Sequence, residues 1–380
     1  MRETIITNAK IVLEDEVING ALKVIDGEIA DVSSTNCSSP AAQDFEGDML
    51  IPGLVELHTD NLERHIMPRP KSNWPVKAAV FNHDREITAA GITTVFDAIS
   101  VGHLNAGARD ESFLGTMAQS IETLNNEGSL KADHFIHWRC EVSGDNLMEQ
   151  IEPLSANNRT GLFSVMDHTP GQRQFVSLDA YYTYYQGKYG LSDKEMATYM
   201  EGRIAAQERN SEPNRREIVK LAHTKNIPLA SHDDATVDHV DEAIDDGITV
   251  AEFPTTMDAA EASHNNGLAV LMGAPNVVRG QSHSGNISAR DLGSAGLLDV
   301  LSSDYVPFSL LYGATLLEKH CENISLPEAI TKITRNPAKH VGLDDRGEIA
   351  IGKRADLVRY NMNEEVPTII EVWREGKRIA

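Results

Sequence analysis

Leu54-Val55-Glu56-Leu57-His58-Thr59-Asp60 is a short apolar run that ends in an imidazole and a carboxylate. A run of this kind reads as a buried strand whose last residues emerge at a strand end. The same pattern recurs downstream. Apolar runs stand at 92–96, 135–140, 162–166, 227–230, 249–253, 269–272 and 298–301, each followed by helix-like sequence. With 54–57 these make eight strand–helix units over about 250 residues, the usual size of a (β/α)8 barrel. The alternation predicts this TIM-type α/β fold rather than an open doubly wound sheet.

The flanks are different. Strand-like segments at 4–13, 17–25 and 28–33 are separated by the turns Glu14-Asp15-Glu16 and Asp26-Gly27. The C-terminus repeats this at 355–360 and 368–373, followed by Glu375-Gly376. Two or three strands cannot bury a sheet face alone. The expectation is therefore a small β-sandwich built from both termini, residues 1–50 plus 345–380, with the barrel at 51–344. The stretch at about 169–226 is too long for an ordinary connection. It reads as an insertion over the barrel mouth, with helices at 193–210 and 214–224.

Composition narrows the function classes. The 380 residues carry 34 basic and 57 acidic side chains, a formal net charge of −23, which argues against nucleic acid or an anionic membrane as partner. A pocket on an acidic protein can still be locally basic, so a phosphorylated ligand stays open. Cys37, Cys140 and Cys321 are widely spaced with no CxxC pair, so no disulfide framework is expected. No apolar run approaches the ~20 residues of a membrane span. Met1-Arg2-Glu3-Thr4-Ile5-Ile6 enters a strand pattern directly, without a signal-peptide core, and a cytoplasmic location is expected.

Chemistry in such a barrel sits at the C-terminal ends of the strands. Runs end in His58-Thr59-Asp60, Glu141, Asp167-His168, His232-Asp233-Asp234 and Asp304, and the sixth passes through Glu252. His58 and Asp60 are two apart, so on a strand they point to one side. An imidazole with a carboxylate suits a borderline divalent cation such as Zn²⁺ or Mn²⁺. Any one of these residues alone reads as a structural polar group. Several in register would be costly to bury without an ion to neutralise them. Asp304 is placed to bind metal and to take a proton from water, the arrangement of metal-assisted hydrolysis.

These features resemble the amidohydrolase superfamily. The matching stretches are Ile51-Pro52-Gly53-Leu54-Val55-Glu56-Leu57-His58, Ala90-Gly91-Ile92-Thr93-Thr94-Val95 and Gly352-Lys353-Arg354-Ala355-Asp356-Leu357-Val358. The superfamily's HxH is HxD here, and its carboxylated lysine is absent, leaving Glu141 as the candidate bridging carboxylate. Longer segments resemble one branch, the alpha-D-ribose 1-methylphosphonate 5-triphosphate diphosphatases of the carbon–phosphorus lyase pathway. These are HTDNLE (58–63), PRPK (68–71), MDHTPGQRQF (166–175), YYQGKY (184–189), ASHDDAT (230–236), AEFPTT (251–256), MGAPNVVRGQSHSGN (272–286) and SSDY (302–305).

The resemblance implies hydrolysis of a small ribose triphosphate to its 5-phosphate and pyrophosphate. It also implies a metal set of His58, Asp60, Glu141, His168, His232 and Asp304, holding two zinc ions with manganese as the alternative. The superfamily scheme places its single histidines on strands five and six. Here they count to strands four and five, so Glu252 is held in reserve for His168. Arg69, Lys71, Arg173, Lys188, Arg279 and His283 lie in the matching segments and suit a polyanion. His83 is either a further pocket residue or part of a helix start capped by Asn82. The tyrosines at 181–189 either stack on a sugar or pack the insertion. A homo-oligomer fits the superfamily. Two rivals stay open: a cyclic amidase or nucleobase deaminase, and a non-catalytic scaffold of the phosphonate pathway.

Overall fold

The computed structural model describes residues 2–69, 72–102, 111–173, 178–282 and 286–380; the side chains of Glu111, Ser112, Ala180, Tyr184, Lys188 and Tyr189 also lie outside the description. Its strands are β1 (Glu3–Val12), β2 (Val17–Ile25), β3 (Glu28–Ser33), β4 (Gln43–Asp44), β5 (Met49–Pro52), β6 (Leu54–Thr59), β7 (Ile92–Val101) and β8 (Asp133–Glu141). There follow β9 (Thr160–Met166), β10 (Leu229–His232), β11 (Val250–Glu252), β12 (Ala269–Gly273), β13 (Val300–Ser302), β14 (Leu357–Asn363), β15 (Val366–Arg374) and β16 (Lys377–Arg378).

β6 to β13 form one eight-stranded sheet in sequence order, and a Thr59–Asp304 bridge joins its first strand to its last. The β6–β7, β8–β9, β9–β10, β10–β11 and β11–β12 ladders are parallel. All eight apolar runs of the sequence fall on these strands, with ends shifted by a few residues. β6, β7 and β12 are buried along their whole length, as strands covered on both faces require. The chain is a (β/α)8 barrel with a second sheet contributed by both termini. By internal contacts it divides into two compact units, Met1–Asp97 with Ser120–Phe135 and Met272–Ala380, and Ala98–Gln119 with Ile136–Leu271.

The first unit contains the terminal sheet, in the order β16-β15-β14-β5-β1-β2-β3, with β4 on β1. The two turns legible in the sequence set its hairpins. Asp26 and Gly27 have φ of 49° and 95°, and Glu375 and Gly376 have 49° and 63°, the two left-handed residues of a type I′ turn. β5 pairs with β1 on one side and β14 on the other, so the N- and C-terminal segments share one ladder. Ile6, Ile11, Leu22, Phe45, Leu50 and Trp373 belong to its core.

A fully buried polar network also lies in this unit. His83 Nε2 donates to Asp97 Oδ1 at 2.7 Å, and the Asn61 amide reaches His83 Nδ1 at 3.1 Å, which makes this imidazole neutral. His134 gives Nδ1 to Asp97 at 2.8 Å and Nε2 to Asp84 at 3.3 Å, so both ring nitrogens donate and the ring is a cation. Asp84 also accepts the backbone N–H of Lys131 and of Ala132.

The second unit repeats a strand–turn–helix form. Thr236 caps the helix Val237–Asp245 and Thr256 caps Met257–Asn265, each four residues after its strand. The insertion departs from expectation. In place of two helices broken near Pro213, one helix runs from Asp193 to Lys225. It starts in a Ser192/Glu195 capping box and stops at left-handed Asn226. A proline inside a helix costs about 3 kcal/mol. Side chains on either side of Pro213 offset this by docking: Asn210 to Ser143 O, Ser211 to Asp167, and Asn214 to Val142 O and Gly144 O. Tyr181, Tyr185 and Met196 form the buried contact between Leu178–Tyr189 and this long helix, which gives those tyrosines the packing role.

Burial alone would lower His134, but Asp97 and Asp84 outweigh it and raise its pKa to about 9. A raised folded-state value stabilises fully below the unfolded value of about 6.5 and is lost as pH rises through the folded one. Wild-type protein is therefore expected to lose thermal stability between about pH 6.5 and about pH 9. His134→Asn should melt lower at neutral pH and show a flatter alkaline slope in calorimetry. Equal slopes would remove His134 from this role.

Candidate metal centre

In the first unit the site residues are set by the seam between β6 and β13. Asp60 N–H donates to Asp304 O at 2.9 Å and Asp304 N–H to His58 O at 3.1 Å. Thr59 Oγ1 donates to Asp304 O and Ser302 Oγ to His58 O, both at 2.8 Å. Below them Glu56 is fully buried, and its carboxylate accepts the backbone N–H of His58 at 2.7 Å and of Ser303 at 2.5 Å. Burial pushes Glu56 up to about 7 against these two donors. The seam gathers His58, Asp60 and Asp304 so that one donor atom of each lies within 4.8 Å of the others.

In the second unit the ends of β8 to β11 supply a further set. His168 Nδ1 meets Glu141 Oε2 at 2.7 Å, and His232 Nδ1 meets Glu252 Oε2 at 3.2 Å. These bonds assign the Nδ1–H tautomer to both rings and make Nε2 the atom each ring would offer a metal ion. Both Nε2 atoms face Asp233 Oδ2, at 3.7 Å from His168 and 3.5 Å from His232. Donors held about 2.1 Å from a tetrahedral ion stand about 3.4 Å apart, so these separations fit one divalent cation better than hydrogen bonds. Burial pushes His232 well below its ordinary range and Asp233 up to about 7. A neutral imidazole is the ligand form.

Glu141 is also engaged beyond His168. It accepts from Ser143 Oγ at 2.7 Å, from His168 N–H at 3.1 Å and from Arg203 Nη2 at 3.1 Å. That is the position of a carboxylate standing behind a ligating histidine. The His83–Asp97–His134 group also brings its donors together, but at 2.7 and 2.8 Å these are direct hydrogen bonds.

The basic residues of the matching segments divide. Arg69 and Arg279 are exposed. Arg173 is buried and spent on Asp234 and Glu242. His83 lies in the closed network of the first unit rather than at an open surface. Lys71 and His283 lie outside the described residues, as does the side chain of Lys188. Four side chains that contact or act on these donor sets are not among the site residues expected from sequence: Glu56, Asp233, Arg139 and Arg203. Arg139 shares a strand face with Glu141 and its charge acts on His232 and Asp233. Its position two residues before Glu141 was the available signal.

Glu56→Leu is expected to strand two buried N–H groups, each costing about 1–3 kcal/mol, and to lower the thermal midpoint by several degrees. Glu56→Gln retains one acceptor and should fall between. A leucine variant as stable as wild type in a denaturant melt would show that the carboxylate does not hold the seam.

Residues 154–380 match the Amidohydrolase family. Alpha-D-ribose 1-methylphosphonate 5-triphosphate diphosphatase of Escherichia coli (strain K12) is 47% identical over 376 residues, 99% of this chain and 100% of that protein. Among solved structures, N-acetylglucosamine-6-phosphate deacetylase from Pasteurella multocida covers 99% of both chains with a TM-score of 0.66 at 12% identity. The 5-methylcytosine deaminase from Klebsiella pneumoniae covers 99% of this chain and 98% of its own, with a TM-score of 0.65 at 16% identity. Those two likenesses speak for the shared fold alone. The match over 154–380, together with full-length identity to the E. coli enzyme, makes this chain a member of the amidohydrolase family.

Proposed function

We propose that this protein is a metal-dependent hydrolase that cleaves alpha-D-ribose 1-methylphosphonate 5-triphosphate to the 5-phosphate and pyrophosphate, in phosphonate catabolism. The observation that carries the reading is 47% identity to the E. coli diphosphatase across its whole length. The two donor sets, His58/Asp60/Asp304 and His168/His232/Asp233, add support because their chemistry suits divalent cations. Two zinc ions, with manganese as the alternative, are the proposed occupants. Glu141 has either the ligand place expected from sequence or the place behind His168 that its hydrogen bonds favour.

Bound divalent ions would supply a water of lowered pKa and neutralise phosphate charge. The chain's own residues do the rest. Asp304 accepts the proton of the attacking water as its oxygen bonds to phosphorus and the bridging P–O bond breaks. The electrons of that bond leave with pyrophosphate. Arg69 and Arg279 are the exposed cations proposed to bind the triphosphate, with Lys71, Lys188 and His283 from the same segments. Arg173 acts indirectly, by holding Asp234 beside Asp233.

The test is phosphorus NMR of zinc-loaded protein with the phosphonate ribose triphosphate, beside ATP and dihydroorotate. Pyrophosphate from the ribose triphosphate with the dihydroorotate ring intact is the expected result. Ring opening without pyrophosphate would overturn it in favour of an amidase. Asp304→Asn should keep most of its zinc by elemental analysis and lose about 10²–10⁴-fold in turnover, the usual worth of a general base. Full activity in that variant would remove Asp304 from proton transfer.

A further inference from the structure

The helix Asp193–Lys225 is more than a cover, because one of its faces is committed to a single turn. Arg203, Asn210 and Asn214 are spaced by seven and four residues, so they share that face. Asn214 donates to Val142 O and Gly144 O at 2.8 Å, and Asn210 to Ser143 O at 3.1 Å. Three consecutive carbonyls of the turn after β8 are thus satisfied by the helix. The turn has little freedom of its own, since a Cβ on Gly144 would meet Gly102 O at 2.0 Å.

Arg203 completes the grip. Its side chain is 6% exposed, and Nη2 bridges Glu141 Oε1 at 3.1 Å and Ser143 Oγ at 3.0 Å. With Oε1 held on that side, Oε2 is presented to His168 Nδ1, and His168 Nε2 is turned toward Asp233.

We propose that Arg203 is a positioning residue that couples docking of the insertion helix to ion binding at His168, His232 and Asp233, through Glu141. The proposal rests on the metal reading above and deepens it. By linkage the effect runs both ways: the docked helix tightens the ion site, and the ion tightens the docked helix. The insertion is then a strut of the ion site and not a free lid.

The test measures zinc affinity by chelator competition in wild type, Arg203→Gln, Arg203→Lys and Arg209→Gln. Arg209 is the control, on the same helix with an exposed partner, Asp145. Loss of a partner behind a metal-ligating histidine costs about 10–100-fold in affinity, and Arg203 stands one contact further out, behind Glu141, so Arg203→Gln should weaken zinc by about 10-fold, the lower end of that range. Arg203→Lys should recover part of it, and Arg209→Gln should match wild type. Hydrogen exchange supplies a readout on the wild-type chain: removing zinc should raise exchange in 193–225. Wild-type protein that takes up no zinc overturns the metal reading and the coupling together. Tight uptake in wild type, undiminished in Arg203→Gln or equally diminished in Arg209→Gln, overturns the coupling alone. So does exchange in 193–225 that ignores zinc.

Discussion

The seam between β6 and β13 joins positions 245 residues apart through hydrogen bonds to main chain and to one carboxylate. An open parallel sheet would leave a row of unpaired N–H and C=O groups along each edge. Here the first and last strands meet over a single bridge, too short a ladder to satisfy both edges. Glu56 makes up the difference by accepting from His58 on one strand end and Ser303 on the other. The bonds that close the sheet are the ones that fix His58, Asp60 and Asp304. Closure of the fold and assembly of that donor set are one event.

A second constraint acts where strands hand over to loops. Asp233, Phe253 and Asp304 follow their strands at φ of 58°, 55° and 55°, a region that side chains other than glycine rarely enter. Each still donates its backbone N–H to a neighbouring strand: Asp233 to Glu252 O, Phe253 to Leu271 O and Asp304 to His58 O. The ladder is kept for one more residue while the chain bends, and two of the three bent residues are donor-set carboxylates. Strain of this kind, of order 1–3 kcal/mol per residue, is found where surrounding structure enforces it, and commonly at functional sites.

Most of the architecture was legible because buried parallel strands leave continuous apolar runs and type I′ turns leave Asp-Gly or Glu-Gly pairs. The strand-end histidines and carboxylates were legible for the same reason, since each follows a run. What stayed hidden depends on partners remote in sequence. Glu56 looks like noise inside an apolar run until Ser303 stands beside it. Arg203 is one charge among many on a polar helix, and only its contact with Glu141, 62 residues away, distinguishes it. Pro213 carries a strong local signal for a break, and three docking side chains override it. Arg173 lies in a matching segment, and its pairing with Asp234, 61 residues away, is likewise invisible in the sequence.

The shared ladder of the terminal sheet has a consequence for how the protein is made. β5 lies between β1, already synthesised, and β14, some 300 residues further along the chain. At ribosomal speeds of about 5–20 residues per second, β5 and β6 wait on the order of 10–60 s for their C-terminal partners. During that interval the β1–β2–β3 hairpins can form while the far edge of β5 and the seam face of β6 stay bare. The order of the strands thus sets the order in which the two sheets can close: the terminal ladder and the barrel seam are the last pairings the growing chain can make.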